Sequence, residues 1–124
     1  MRRYTFRRKQ RLRLRDDFRR VVRTACSAAD RRLVVYVAAN DVGCTRLGTS
    51  VGKRIGPAVE RNRVKRLIRE AFRILQYELP SGLDLLVIPR GTEPPTLEGY
   101  RRSLLALSRR AARKLAKRGE TPTS

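Results

Sequence analysis

The chain contains no histidine and no tryptophan, one methionine, two cysteines and only 11 acidic residues in 124. Without histidine there is no His-based catalytic triad, no usual general base near neutral pH and no ordinary zinc site. No apolar run approaches the roughly 20 residues that span a bilayer. The opening stretch MRRYTFRRKQRLRLR is basic but lacks the apolar core of a secretory signal, and it lacks the serines of an organelle transit peptide. Cys26 and Cys44 form no C-x-x-C pair and read as reduced, small hydrophobes. The expected setting is the cytoplasm, with no membrane contact.

Positive charge is what the chain has in excess. Its 31 Lys+Arg give a formal net charge of +20. Such self-repulsion points to a polyanionic partner, most simply nucleic acid. Forty per cent hydrophobic residues still permit a core. The charge is blocked: residues 1–23 carry 11 basic and two acidic residues, 53–73 eight and two, and 100–118 eight and none. The stretches between them, 24–52 and 74–99, are nearly neutral or slightly acidic.

The neutral stretches read as strands. Leu33 to Val37 is β-branched and aromatic and runs toward the turn signal Asn40-Asp41. Arg46 to Val51 is a weaker, glycine-interrupted strand able to pair with it. Leu83 to Ile88, apolar on both faces and stopped by Pro89, reads as a central strand. The basic stretches read as helices. Phe18, Val21, Val22 and Ala25 recur at helical spacing behind Asp16-Asp17. Gly56-Pro57 marks the start of a second helix, and a third runs from the N-cap Thr96 to Gly119. On the third, Leu97, Tyr100, Leu104, Leu107, Ala111 and Leu115 form the apolar side. The predicted order is helix, strands, helix, strand, helix: an α+β fold with helices layered on one sheet. Residues 1–10 form a basic N-terminal arm, 11–118 one RNA-binding domain, and 119–124 a disordered tail.

The second helix carries the sharpest signal. At about 100° per residue, Leu67, Ile68, Ala71 and Leu75 fall within about 60° of Val64. Asn62, Lys65, Arg66, Arg69 and Arg73 gather on the opposite side, with Arg61 and Arg63 at its edges. Neighbouring cations at i, i+3 and i, i+4 weaken an isolated helix by a few tenths of a kcal/mol each, so an anion is expected to offset them. Only five of the 31 cations are lysine, and the planar guanidinium of the rest matches phosphate oxygens bidentately. A basic amphipathic helix can also bind a membrane, but here the apolar face is needed for the core.

These residues also carry a resemblance. The stretch LGTSVGKRIGPAVERNRVKRLIREAFR, with Arg61-Asn62-Arg63 followed by Lys65, Arg66 and Arg69, is similar to the bacterial ribonuclease P protein family. So are Arg11-Leu12 spaced from Asp17-Phe18, then Arg31, Tyr36 and the segment DLLVIPR. The likeness covers about residues 8 to 115. It implies an α/β sandwich with a left-handed β-α-β crossover, where handedness statistics alone favour the right-handed one in about 98% of cases. It implies an RNA-binding subunit of a ribonucleoprotein that removes the 5′ leader of precursor tRNA, the chemistry residing in a catalytic RNA and its Mg²⁺.

By the resemblance, Lys53, Arg54, Arg61, Asn62, Arg63, Lys65, Arg66, Arg69 and Arg73 would meet the catalytic RNA. Arg11, Leu12, Phe18, Val22, Arg31, Val34, Tyr36, Ala38 and Arg90 would form a cleft for the leader. Val22 departs from the family's usual aromatic, so Tyr4 or Phe6 of the arm is the candidate substitute. A local capping or backbone-bonding role for Asn62 and a core role for Phe18 stay open on the residues alone. The partners expected are the catalytic RNA and precursor tRNA, with no protein partner, no cofactor bound by the chain alone and no catalytic or metal-binding residue in it. Two other classes stay open on composition: a ribosomal or assembly RNA-binding protein and a helix-turn-helix DNA binder. The second is disfavoured because the most basic helix follows a strand-like segment.

Overall fold

The computed structural model describes residues 10–12, 15–24, 26–91 and 93–119. Three helices and four strands follow in the order α1 (Arg15–Arg23), β1 (Ser27–Ala29), β2 (Leu33–Ala39), β3 (Arg46–Thr49), α2 (Ala58–Leu75), β4 (Leu83–Pro89) and α3 (Leu97–Lys117). A short 3₁₀ turn, Lys53–Ile55, precedes α2. The basic arm, apart from Gln10, and the tail, apart from Gly119, lie outside the described residues, as does Ala25.

The sheet has the order β1-β2-β4-β3. β4 lies antiparallel to β2 along its whole length, from Leu33 opposite Pro89 to Ala39 opposite Leu83, and parallel to β3. This corrects the expected pairing of the Arg46 segment with the first long strand. β4 is buried on both faces over most of its length, so it takes the centre and separates β2 from β3. The edge strand β1 was not foreseen: Ser27-Ala28-Ala29 has little strand propensity, and its pairing to β2 creates it.

Alternation along β2 sorts the two faces as expected. Leu33, Val35 and Val37 join the core with α2 and α3, whereas Ala38 and Tyr36 belong to a smaller cluster under α1. Val64, Ile68, Ala71 and Leu75 are buried on α2, with Leu67 partly so. Phe72, just beyond the predicted stripe, is also fully buried.

α3 behaves as its sequence requires. The Thr96 hydroxyl accepts from Gly99 N at 3.0 Å. At the other end Gly119, at φ 82°, donates back to Ala116 O, closing the helix in the left-handed conformation that favours glycine. Both cysteines are free, Cys26 buried and Cys44 half-buried.

Candidate nucleic-acid interface

Gly56, at φ 146°, turns the chain from the 3₁₀ turn into α2, and Pro57 holds the cap position with φ −66°. The helix therefore begins at Ala58. Asn62 lies a full turn inside it and opens onto solvent, so it is not a helix cap. Asn62, Arg63, Arg66 and Arg69 are exposed, Lys65 and Arg73 half-exposed, and Lys53 and Arg54 exposed on the preceding turn. Arg61 is half-buried at the edge, its Nε enclosed with no partner atom. Arg11, Asn62, Arg66, Arg69, Glu70 and Arg73 line one hollow of about 410 Å³. Within it Arg73 Nε donates to Glu70 Oε2 at 3.0 Å. That hydrogen bond holds the Glu70 carboxyl below the usual carboxylate range. The catalytic-RNA residues expected from the sequence thus share one continuous helix face and the turn before it.

The opposite sheet face carries α1, tied down by a group the sequence reading missed. Asp84 of β4 is fully buried. Its carboxylate accepts from Arg46 Nε and Nη2, both at 2.7 Å, and from Asn40 Nδ2 at 2.8 Å. It also takes a hydrogen bond from Arg20 of α1, whose other amino group donates to Ala39 O at 3.2 Å. The hydrogen bond to Asp84 raises the pKa of Arg46. A lone acid in an apolar strand is the one available signal, since a buried carboxylate demands cations around it.

Between α1 and the sheet runs a cleft of about 660 Å³, lined by Phe18, Arg19, Val22, Arg23, Ser50, Leu86 and Ile88. Phe18 also walls a second hollow of about 250 Å³, with Arg11, Gly48, Lys65 and Arg69 among its lining. The Phe18 ring lies so close over Gly48 that a Cβ there would sit 2.8 Å from it. One half-buried aromatic therefore joins the α2 face to the α1 cleft.

Not every expected cleft residue lines it. Val22 does, and at 43% exposure it corrects the periodicity that placed it on an apolar stripe. α1 rests on the sheet through a narrow contact at Val21 and Phe18, which leaves Val22 uncovered. Tyr36 and Val34 lie half-buried on the same sheet face, opposite Leu86 and Ile88 of β4. Ala38, 1% exposed, is a packing residue beneath α1, whereas Leu12, 3% exposed, lines the second hollow beside Phe18 rather than the cleft. Arg31 and Arg90 face a different hollow, with Asp30 and Glu93, at the end of the sheet where β2 starts and β4 stops. There Arg90 Nη1 donates to Asp30 O at 3.1 Å. Arg19, Arg23, Leu86 and Ile88 are cleft residues that the sequence reading did not pick out.

Comparison with known proteins accords with this geometry. The ribonuclease P family model matches residues 6–112. The ribonuclease P protein component of Brevibacillus brevis is 45% identical over 106 residues, covering 84% of each chain. Among solved structures, the Thermotoga maritima RNase P protein superposes with TM-score 0.72 at 36% identity, over 80% of this chain and 96% of that one. The Staphylococcus aureus RNase P protein gives TM-score 0.69 at 34% identity, over 87% and 95%. On fold, on motif order and on these likenesses, the chain belongs to the ribonuclease P protein family.

Proposed function

We propose that, as the protein subunit of a ribonuclease P holoenzyme, this chain clamps two RNAs at once. The basic face of α2 docks on the catalytic RNA, and the cleft under α1 holds the single-stranded 5′ leader of precursor tRNA. One observation carries this reading: Phe18 walls both the hollow that opens on Lys65 and Arg69 and the cleft beneath α1. A leader leaving the catalytic RNA at α2 would pass Phe18 and run on between Arg19 and Arg23. Stacking of a base on an aromatic ring is worth about 1–3 kcal/mol, and flanking arginines pair with the phosphates.

The chemistry is assigned to the RNA. Among the described residues no three carboxylates or thiols gather as a metal site. Asp84 is enclosed by two guanidiniums and an amide, and Glu70 is held by Arg73. These donors do not fit a protein-held Mg²⁺. We assign the ions of the holoenzyme to RNA phosphate oxygens, which Mg²⁺ favours. The protein's part is to hold substrate and catalytic RNA in register in the cytoplasm.

The test is the salt dependence of catalytic-RNA binding. Replacing Arg66 and Arg69 with alanine should lower the logarithmic slope by about 1.4–1.8, at 0.7–0.9 per phosphate contact, with the circular dichroism of the fold unchanged. Equal slopes for both proteins would remove α2 from the interface. Cleavage of precursor tRNA by the polypeptide with no RNA subunit present would overturn the assignment of chemistry.

A further inference from the structure

The third basic block has no role in the scheme above. α3 is packed on β1 and β2 through its apolar side, and its outer side is a row of cations. Glu98 at its start takes Arg101 at 2.8 Å and Arg102 at 3.2 Å. Between residues 99 and 119 the sequence has no further acid. Arg109, Arg110, Arg113, Lys114, Lys117 and Arg118 are all exposed. Their i, i+3 and i, i+4 neighbours are of like sign, which costs an isolated helix a few tenths of a kcal/mol per pair.

Two of these cations fix where the row leads. Lys114 Nζ donates to Ser27 O at 2.7 Å. The Arg118 guanidinium donates to Thr24 O, and to Cys26 Sγ at 2.9 Å. The C-terminal end of α3 is thereby moored to the chain just beyond α1. Arg23, the last residue of α1, lines the cleft. Cations therefore stand on both sides of the Thr24–Ser27 segment: Arg19 and Arg23 at the cleft, and Lys114 and Arg118 at the end of the α3 row. Arg110 to Lys117 spans about 10 Å along the helix, room for a few phosphates of an extended strand.

We propose that this face is a second leader site: the phosphate backbone of leader nucleotides beyond the cleft continues past Arg23 onto Arg110, Arg113 and Lys117. The inference rests on the leader reading of the cleft. It adds a length rule, since a short leader ends inside the cleft and only a longer one reaches α3. Phosphate contact without base contact makes this site indifferent to leader sequence.

The experiment uses holoenzyme reconstituted with the cognate catalytic RNA. It compares the triple variant Arg110→Gln, Arg113→Gln, Lys117→Gln with wild type on two precursors, their leaders about three and about twelve nucleotides long. The affinity advantage of the long leader should fall about tenfold, and its logarithmic salt slope by about two. The short-leader affinity and the protein's affinity for the catalytic RNA should stay the same. The charge-keeping double variant Arg110→Lys, Arg113→Lys, with Lys117 native, should retain the long-leader advantage. An undiminished advantage overturns the proposal. So does equal weakening of both precursors or loss of catalytic-RNA affinity, which would place the face against the ribozyme. A Phe18→Ala control separates the two readings: if it leaves short-leader affinity intact, the cleft itself fails, whatever α3 does.

Discussion

Twenty buried residues pack α2 and α3 onto one face of the sheet, whereas among the described residues only four pack α1 onto the other. The first face is a sealed apolar core. The second is held by a small cluster and by Asp84, whose carboxylate ties Arg20 of α1 to Arg46 and Asn40. Apolar burial is non-directional and fills the space it closes. An ion network anchored at one point can fix a helix while leaving the rest of its length standing off the sheet. That difference leaves room for the cleft: α1 is fastened at Arg20, and the gap beside Phe18, Val22 and Arg23 stays open.

The contrast can be broken first on the sealed side. Phe72→Ala removes a fully buried ring from α2 and should cost about 3–5 kcal/mol. Urea denaturation should show one cooperative loss of the whole fold. A cost under about 1 kcal/mol would mean that face is not a tight core.

Asp84→Ala is next. It leaves the Arg46 and Arg20 guanidiniums without their shared carboxylate, a change expected to cost about 3 kcal/mol. Because the anchor serves α1, amide exchange protection should collapse there first and persist in α2 and α3. Uniform loss across all three helices would show that the two faces are not separately held.

The smallest effect on stability and the sharpest on function belongs to Phe18→Ala. The ring is half-buried, so folding should weaken by less than for Phe72. Affinity of the holoenzyme for leader-bearing precursor should fall about 5- to 150-fold, the equivalent of about 1–3 kcal/mol of lost stacking. Leaderless tRNA should bind as before. A stability loss matching that of Phe72→Ala, with leader discrimination intact, would return Phe18 to the core.

Much of the α2 face is legible in the sequence. Helical period and charge are local properties, so Val64, Ile68, Ala71 and Leu75 separate from Asn62, Arg66 and Arg69 on a wheel alone. The cleft is less so. Ala38 lies in the right neighbourhood but is covered, Leu12 lines the neighbouring hollow beside Phe18, and Arg31 and Arg90 stand at another end of the sheet. Which member of a motif is covered depends on what packs above it, and no periodicity reports that.

By its own pattern the chain determined three amphipathic basic helices, a doubly buried strand at Leu83–Pro89, the Thr96 cap and the Gly119 stop, because each follows from residues a few positions apart. Tertiary structure alone decided that β4 separates β2 from β3, that Ser27–Ala29 becomes a strand, and that Asp84 gathers Arg20, Arg46 and Asn40. The first and last are contacts between residues dozens of positions apart, and the Ser27–Ala29 strand exists only through its pairing with β2. Those distant contacts form because a strand buried on both faces must sit in the middle, and a carboxylate buried there must be met by positive charge.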